Sequence, residues 1–329
     1  MIAHYKKQRG VALIIVMLVV ALVVIIAANM TGRLQLLMSR SLNQQAIAQG
    51  MWSALAGEQL VYKVLEQDYQ DSKDRVHLSQ LWAREGMIFP VGNGALSGEI
   101  QDLHSCFNLN ALGTMAKDSP SQTSTVHKQF EILLRTIGLD DYVAERLAST
   151  IKDWVDSDNQ MTGSLGAEDD TYRAKVVPYL APNSDMINIT ELMAIDGMTA
   201  PIYRTIRPYV CLVSSNELKF NVNTISPEQA ALLTAAFDEK LSVSDAKSVL
   251  SARNEEGYSD VAEFFNSSEI KALGTLSDEI KSQFQVTSNN FKAQLIYSAD
   301  NQEFTVNSVF VRDNKEKLAV TSRQFGAIE

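Results

Sequence analysis

Apolar residues fill every position from Val11 to Ala28. They follow a short opening, MIAHYKKQRG, that carries Lys6, Lys7 and Arg9 and ends in Gly10. At about 1.5 Å per helical residue this run spans roughly 27 Å, close to the hydrocarbon thickness of a bilayer. No small-residue A-x-A site follows it, as a removable secretory signal requires. Further on, Ile47, Met51, Ala54 and Leu55 fall at i, i+4, i+7 and i+8, which predicts one amphipathic stripe. We read a single helix over 11–66, its membrane segment at 11–30 and its second half resting on a globular body. Pro90, Gly92, Gly94 and Gly98 mark a loop, and a strand runs from Gly98 through Glu99 to Leu103. Phe291–Tyr297, Phe304–Val311 and Leu318–Phe325 read as three strands separated by Asp300-Asn301 and Asp313-Asn314. Val306, Ser308 and Phe310 compete with Thr305, Asn307, Val309 and Val311 for the buried face, so the pattern leaves that face open.

Between these parts lies a stretch, about Asn110 to Ser282, too long to be a loop. Helical periodicity appears at Phe130–Ile137, Tyr142–Val155, Ile189–Ile195, Ile202–Ile206, Pro227–Phe237, Val243–Ala252 and Asp260–Phe265. Asn108, Asn188 and Asn221 stand where N-caps are wanted. Phe107-Asn108-Leu109-Asn110 and Phe220-Asn221-Val222-Asn223 echo one another, a short hint of internal duplication.

The polar-to-apolar break between Gly10 and Val11 lies before the hydrophobic helix. A peptidase cutting there removes the charged tag and leaves the helix on the mature chain. This arrangement resembles the type IV prepilin leader. The resemblance implies processing by a prepilin peptidase after Gly10 and a methylated N-terminus at Val11. Most such proteins carry Glu at the fifth mature position, where it pairs with the N-terminal amine of a neighbouring subunit; here that position is Ile15. A carboxylate in lipid is costly without a partner, so a subunit with nothing above it gains by lacking it.

Composition fits export. The whole chain carries a formal charge of −10, and without the leader 26 cationic residues face 39 acidic ones. A basic leader and an acidic remainder place residues 1–10 on the cytoplasmic side and the rest in the periplasm. The acidity also disfavours a nucleic-acid partner. Cys106 and Cys211 both fall in the exported part, where an even count favours one disulfide. Closing a loop of that length is worth about 4–5 kcal/mol by chain entropy.

Several ordered landmarks sharpen the resemblance. Cys106-Phe107-Asn108-Leu109-Asn110, Asp153-Trp154-Val155-Asp156-Ser157-Asp158, Gly166-Ala167-Glu168-Asp169, Glu191-Leu192 with Gly197-Met198, Arg207-Pro208-Tyr209 and Asn221-Val222-Asn223-Thr224 look like those of the minor pseudopilin K family of type II secretion. Lack of the fifth-position Glu is a mark of that family. The implied fold class is α+β: a pilin-like long N-terminal helix packed on a small antiparallel β-sheet, interrupted by a large all-α insert. The expected boundaries are leader 1–10, helix 11–66, first part of the body 67–111, helical insert 112–282 and β-meander 283–329. The implied role is a filament-tip subunit anchored in the inner membrane, with minor pseudopilins I and J, and H below them, as partners.

Asp153, Asp156, Asp158, Glu168, Asp169 and Asp170 gather around Asn159, Gly163 and Gly166. Hard cations such as Ca²⁺ want six to eight oxygens, which a carboxylate-rich loop supplies. The spacing is not that of an EF-hand, since the sixth-position Gly and twelfth-position Glu are missing. The family resemblance implies a structural calcium here. Asp156, Asp158, Glu168 and Asp169 are the preferred ligands, Asp153 and Asp170 the alternates, and Trp154 faces the core.

Catalysis finds little support. His4, His77, His104 and His127 are scattered and read as surface or capping residues, and the usual nucleophile, zinc and phosphate-loop motifs are absent. We expect a protein that is not an enzyme. Leu192 to Met198 resembles the hairpin of helix-hairpin-helix DNA binders, so a competence-type DNA receptor is the rival reading, with a type IV pilus minor pilin beside it. Against DNA stand Asp196 before the glycine, Met198-Thr199 in place of Ile-Gly, and the negative charge.

Overall fold

The computed structural model describes residues 10–114, 124–299 and 302–326. Most of the leader (1–9), with His4, and the Asp300-Asn301 pair expected to separate two strands lie outside the described residues. Helix α1 runs unbroken over Val11–Asp71. Its N-terminal part reaches a mean hydropathy of 3.5 over eighteen residues, none of them buried. That surface is apolar and uncovered, so it is built to contact lipid or other helices rather than its own chain.

From Gly50 onward the helix turns one face to the body. The buried stripe is Gly50, Ala54, Gly57, Val61 and Leu65, with Ser53, Glu58 and Asp68 alongside. This differs from the expected stripe, of which Ala54 is fully buried while Ile47 and Met51 are 48% and 41% exposed. Small residues face the sheet because the backbone lies close to it. A Cβ on Gly50 would strike the Phe304 ring, and one on Gly57 would press on Leu96. The larger Ile47, Met51 and Trp52 prolong the outward apolar surface instead. The helix also outruns its expected end at Glu66. Arg312 lies 3.9 Å over the Tyr69 ring, pairs with Glu66 at 2.7 Å and donates to the Leu65 carbonyl, holding the last turn in place.

The first part of the body continues with β1 (Ile88–Val91), β2 (Gly94–Asp102) and the short β3 (Phe107–Asn108). The expected loop around Pro90 is a hairpin, Val91 pairing with Gly94 across Gly92-Asn93. Gly92 supplies the positive φ that such a tight turn needs, and Pro90 is tolerated because β1 is an edge strand. Helices α2 (Thr125–Thr136), α3 (Asp141–Val155), α4 (Asp169–Arg173) and α5 (Ala200–Ile206) lead to β4 (Val210–Cys211) and β5 (Phe220–Asn221). Then come α6 (Ala231–Ala236), α7 (Val243–Ser251), α8 (Val261–Phe265), α9 (Ser268–Lys271), α10 (Asp278–Ser282) and β6 (Phe284–Gln285). The chain closes with β7 (Asn290–Ala299), β8 (Gln302–Arg312) and β9 (Leu318–Phe325).

Among the described residues the main sheet is antiparallel with strand order β1-β2-β7-β8-β9. The hairpin before the insert therefore joins the three-stranded meander after it. Phe291, Leu295, Tyr297 and Phe310 share a core with Val61 and Leu65 of α1. This settles the ambiguous face: Val306, Ser308 and Phe310 point at the helix. Ser308 belongs there because its hydroxyl donates to buried Glu58, which also pairs with Arg323 on β9.

A separate core fills the helical insert, where Phe107, Phe130, Phe220, Phe237, Phe264 and Phe284 meet with the leucines of α2, α3 and α6. The two Phe-Asn-x-Asn stretches do equivalent work in it. Asn110 accepts from the Met186 amide and donates to the Met186 carbonyl; Asn223 does the same with Tyr258. Each clamped residue stands two positions before an N-cap, Asn188 or Asp260, and each cap is followed three residues on by a Glu that bonds back across the turn. The sequence echo is thus a structural repeat.

Cys106 and Cys211 form a disulfide, their Cα atoms 5.7 Å apart, beside the parallel pairing of β3 with β4. Close by, Asp102 at the end of β2 is 1% exposed and accepts from the His104 amide, Asn221 Nδ2, Thr224 Oγ1 and Ser288 Oγ. One carboxylate so fastens the sheet, the insert and the return segment. Asp102→Ala removes the acceptor that four donors share and leaves the buried His104 amide without its partner. By chemical denaturation it should cost about 3 kcal/mol or more, whereas the exposed Asp278→Ala should change little.

Candidate metal centre

Helix α3 opens on an Asp140 cap and buries Leu147, Ala148 and Ile151, and Asp153, in its last turn, enters the interior with them. Asp153 is fully buried, and its two oxygens accept from the amides of Thr162 (2.9 Å) and Ala167 (2.8 Å). It shapes the loop rather than facing a ligand. The landmark Gly166 is required by this arrangement, since a Cβ there would collide with the Asp153 carboxylate.

With the loop folded over Asp153, three other carboxylates converge. Asp156 at the C-cap of α3, Asp158 in the following turn and Glu168 at the N-cap of α4 each offer an oxygen within 4.8 Å of the others. Asp156 Oδ1 and both Glu168 oxygens are buried without a hydrogen-bond partner among the described residues. Asp158 accepts from the Gln160 amide, and Asn183 Nδ2 donates to the Asp158 carbonyl. Glu168 is pushed up to about 7 and Asp156 to about 6, first by burial and then by mutual repulsion among the acids. Unpartnered hard oxygens that repel one another fit a divalent cation of the hard class.

Asp169 and Asp170 do not join the cluster. Asp169 pairs with Arg173 at 2.9 Å, and Asp170 is fully exposed near the same guanidinium. The sequence could not separate these neighbours because only the helical start at Asp169 turns them outward. Trp154 packs inward against Tyr172 and Tyr179, as the pattern implied.

The remaining candidates fall elsewhere. Gly10, Val11 and Ile15 sit at the exposed start of α1, where Ile15 is 57% exposed. His77, His104 and His127 are buried, contrary to the surface or capping reading. His127 sits in the first turn of α2, both ring nitrogens unpartnered among the described residues, and burial holds it down at about 4. In the hairpin around Gly197, Asp196 pairs with both Arg146 and Lys175, so those cations are already neutralised.

A long outward apolar helix laid on an antiparallel sheet, with a helical insert between hairpin and meander, defines a pilin-like fold whose N-terminal helix is a candidate membrane anchor. Family models described as type II secretion system (T2SS), protein K match residues 105–215 and 220–287. The type II secretion system protein K of Aeromonas hydrophila is 39% identical over 98% of this chain and 99% of its own length. That of Pseudomonas aeruginosa is 30% identical over 98% and 94%. A solved structure, the GspK-GspI-GspJ complex from the type 2 secretion system of enterotoxigenic Escherichia coli, superposes with a TM-score of 0.78. It is 29% identical and covers 88% of this chain and 100% of its own. The chain belongs to the type II secretion system protein K family.

The raised acids set a pH dependence for the metal-free protein. A carboxylate held above its unfolded value stabilises the fold at low pH, and that contribution is lost as pH rises through the folded value. The melting temperature of chelated protein should therefore fall between about pH 4.5 and 7, and millimolar Ca²⁺ should remove the fall. Glu168→Gln should raise the metal-free melting temperature at pH 7.5 and abolish the response to cation.

Proposed function

We propose that this protein is the tip subunit of the type II secretion pseudopilus, a non-enzymatic cap that starts the filament and helps move folded proteins out of the periplasm. The observation that carries this reading is the division of α1. Its first part is an uncovered apolar rod, and its second part is fixed to the body by Glu58, Arg312 and the small-residue stripe. The rod packs with the helices of partner pseudopilins, in the inner membrane and then in the filament. Ile15 presents no carboxylate to an amine overhead, which favours a position with no subunit above.

The named complex of the solved relative supports minor pseudopilins I and J as direct partners, and in this reading H lies below them. Prepilin peptidase cuts after Gly10, and the new terminus at Val11 is methylated. The bulky insert adds volume around the body, which works against further stacking. Calcium, held by Asp156, Asp158 and Glu168, serves as a staple for the loop between α3 and α4 and takes no part in chemistry.

The test is co-expression with the minor pseudopilins and prepilin peptidase. N-terminal sequencing should start at Val11, and the chain should co-purify with I and J. Cysteine cross-links along α1 should connect it to partners on one side of the filament axis only. Cross-links to subunits on both sides would reject the tip position.

A further inference from the structure

Between the outer face of the main sheet and the overhanging insert lies a cleft of about 310 Å³. This face is the one turned away from α1. Lys292 stands on it, in register with Gln101 and Val309. Arg207 reaches the same cleft from the opposite wall, at the start of the Arg207–Tyr209 turn. That turn is set by Pro208, whose carbonyl accepts from Gln229. The Arg207-Pro208-Tyr209 landmark has no part in the metal centre or in the anchoring of α1.

Two features point to a ligand. Neither Lys292 nor Arg207 pairs with a carboxylate among the described residues, although the chain as a whole is acidic; Asp185 lines the rim, exposed, and meets neither of them. Burial and then Arg207 push the Lys292 amine down, and Glu99, two residues from Gln101 on the same face, opposes them without forming an ion pair. Independently, Asn307 lines the cleft at 4% exposure; its Nδ2 donates to the Gly326 carbonyl while its Oδ1 is buried with no donor among the described residues. An unpaired cation couple wants an anion, and a buried amide oxygen beside it wants an N–H. A bare inorganic anion satisfies only the first demand. The apolar walls, Leu103, Met186 and Val213 among them, suit a peptide's aliphatic atoms.

We propose that this cleft binds an acidic residue on an extended segment of another protein. The carboxylate lies between Arg207 and Lys292, and an N–H of the same segment reaches Asn307 Oδ1. Recognition of a single side chain at the junction of sheet and insert gives the body a specific protein contact separate from the helix packing of α1.

The test uses the full chain in detergent with its disulfide intact, and a fluorescein-labelled peptide, Gly-Leu-Glu-Leu-Gly, read by anisotropy at low salt. Saturable binding is expected, about tenfold weaker for the Gln-containing peptide and for the Arg207→Gln, Lys292→Gln double variant. The Arg207→Lys, Lys292→Arg variant should restore most of it, which separates lost charge from lost folding; melting curves check the latter. Asn307→Leu should weaken the peptide while leaving competition by inorganic phosphate unchanged. Equal affinity for both peptides, binding unaffected by the double variant, or no saturable binding overturns the proposal. So does displacement by millimolar phosphate with no preference for glutamate, which marks a plain anion hole.

Discussion

One buried carboxylate holds the separate parts of this molecule in a single frame. Asp102 closes β2 and takes hydrogen bonds from the chain just after it, from the end of β5 and the residues that follow, and from the segment before β7. Removing a charge from water is expensive, and only a full set of donors offsets it. The arrangement therefore exists only when sheet, insert and return segment are all in place. The Cys106–Cys211 disulfide works at the same junction by a different route, since it limits how far the insert can separate from the sheet in the unfolded chain. Together they explain how an insertion of this size leaves the antiparallel sheet undisturbed.

Within the insert, stability follows from repetition. Each Phe-Asn-x-Asn stretch buries its Phe in a shared aromatic core and uses its second Asn to clamp the backbone just ahead of a short helix. Such short helices are marginal alone, because nucleation costs more than a few hydrogen bonds return. Caps and clamps supply the missing order. The helix-hairpin-helix likeness thus has a packing origin, and the Asp196 pairs with Arg146 and Lys175 leave that hairpin little positive charge to offer phosphate.

The functional consequence is a division of labour along one chain. The first half of α1 offers apolar surface that only lipid or other helices can cover. The second half is locked to the sheet through Glu58, Ser308 and Arg323, so force or position transmitted along the helix reaches the body directly. The insert, with its acidic loop on one side and its cationic cleft against the sheet, carries features the pilin-like frame alone lacks.

What the sequence determined by itself were the elements with strong local signals. Val11 to Ala28 could be little else than a long apolar helix, and the Asn108 and Asn188 caps, the alternating C-terminal strands and the cysteine pair are readable in order, whereas Asn221, expected as a cap, ends β5 and donates to Asp102. Local pattern misled where size rather than polarity decides contact. Periodicity puts Ile47 and Met51 on the packed face, yet Gly50 and Gly57 lie closest to the sheet because a helix backbone at that distance admits no larger side chain. Pro90 and Gly92 looked like loop residues because a hairpin edge and a loop share the same residue preferences. Among six neighbouring acids, only the fold told apart Asp153, which caps a loop from inside, Asp169, which pairs with Arg173, and the trio that faces itself. Those distinctions depend on which backbone amides and cations arrive from elsewhere in the chain, and no local spacing encodes that.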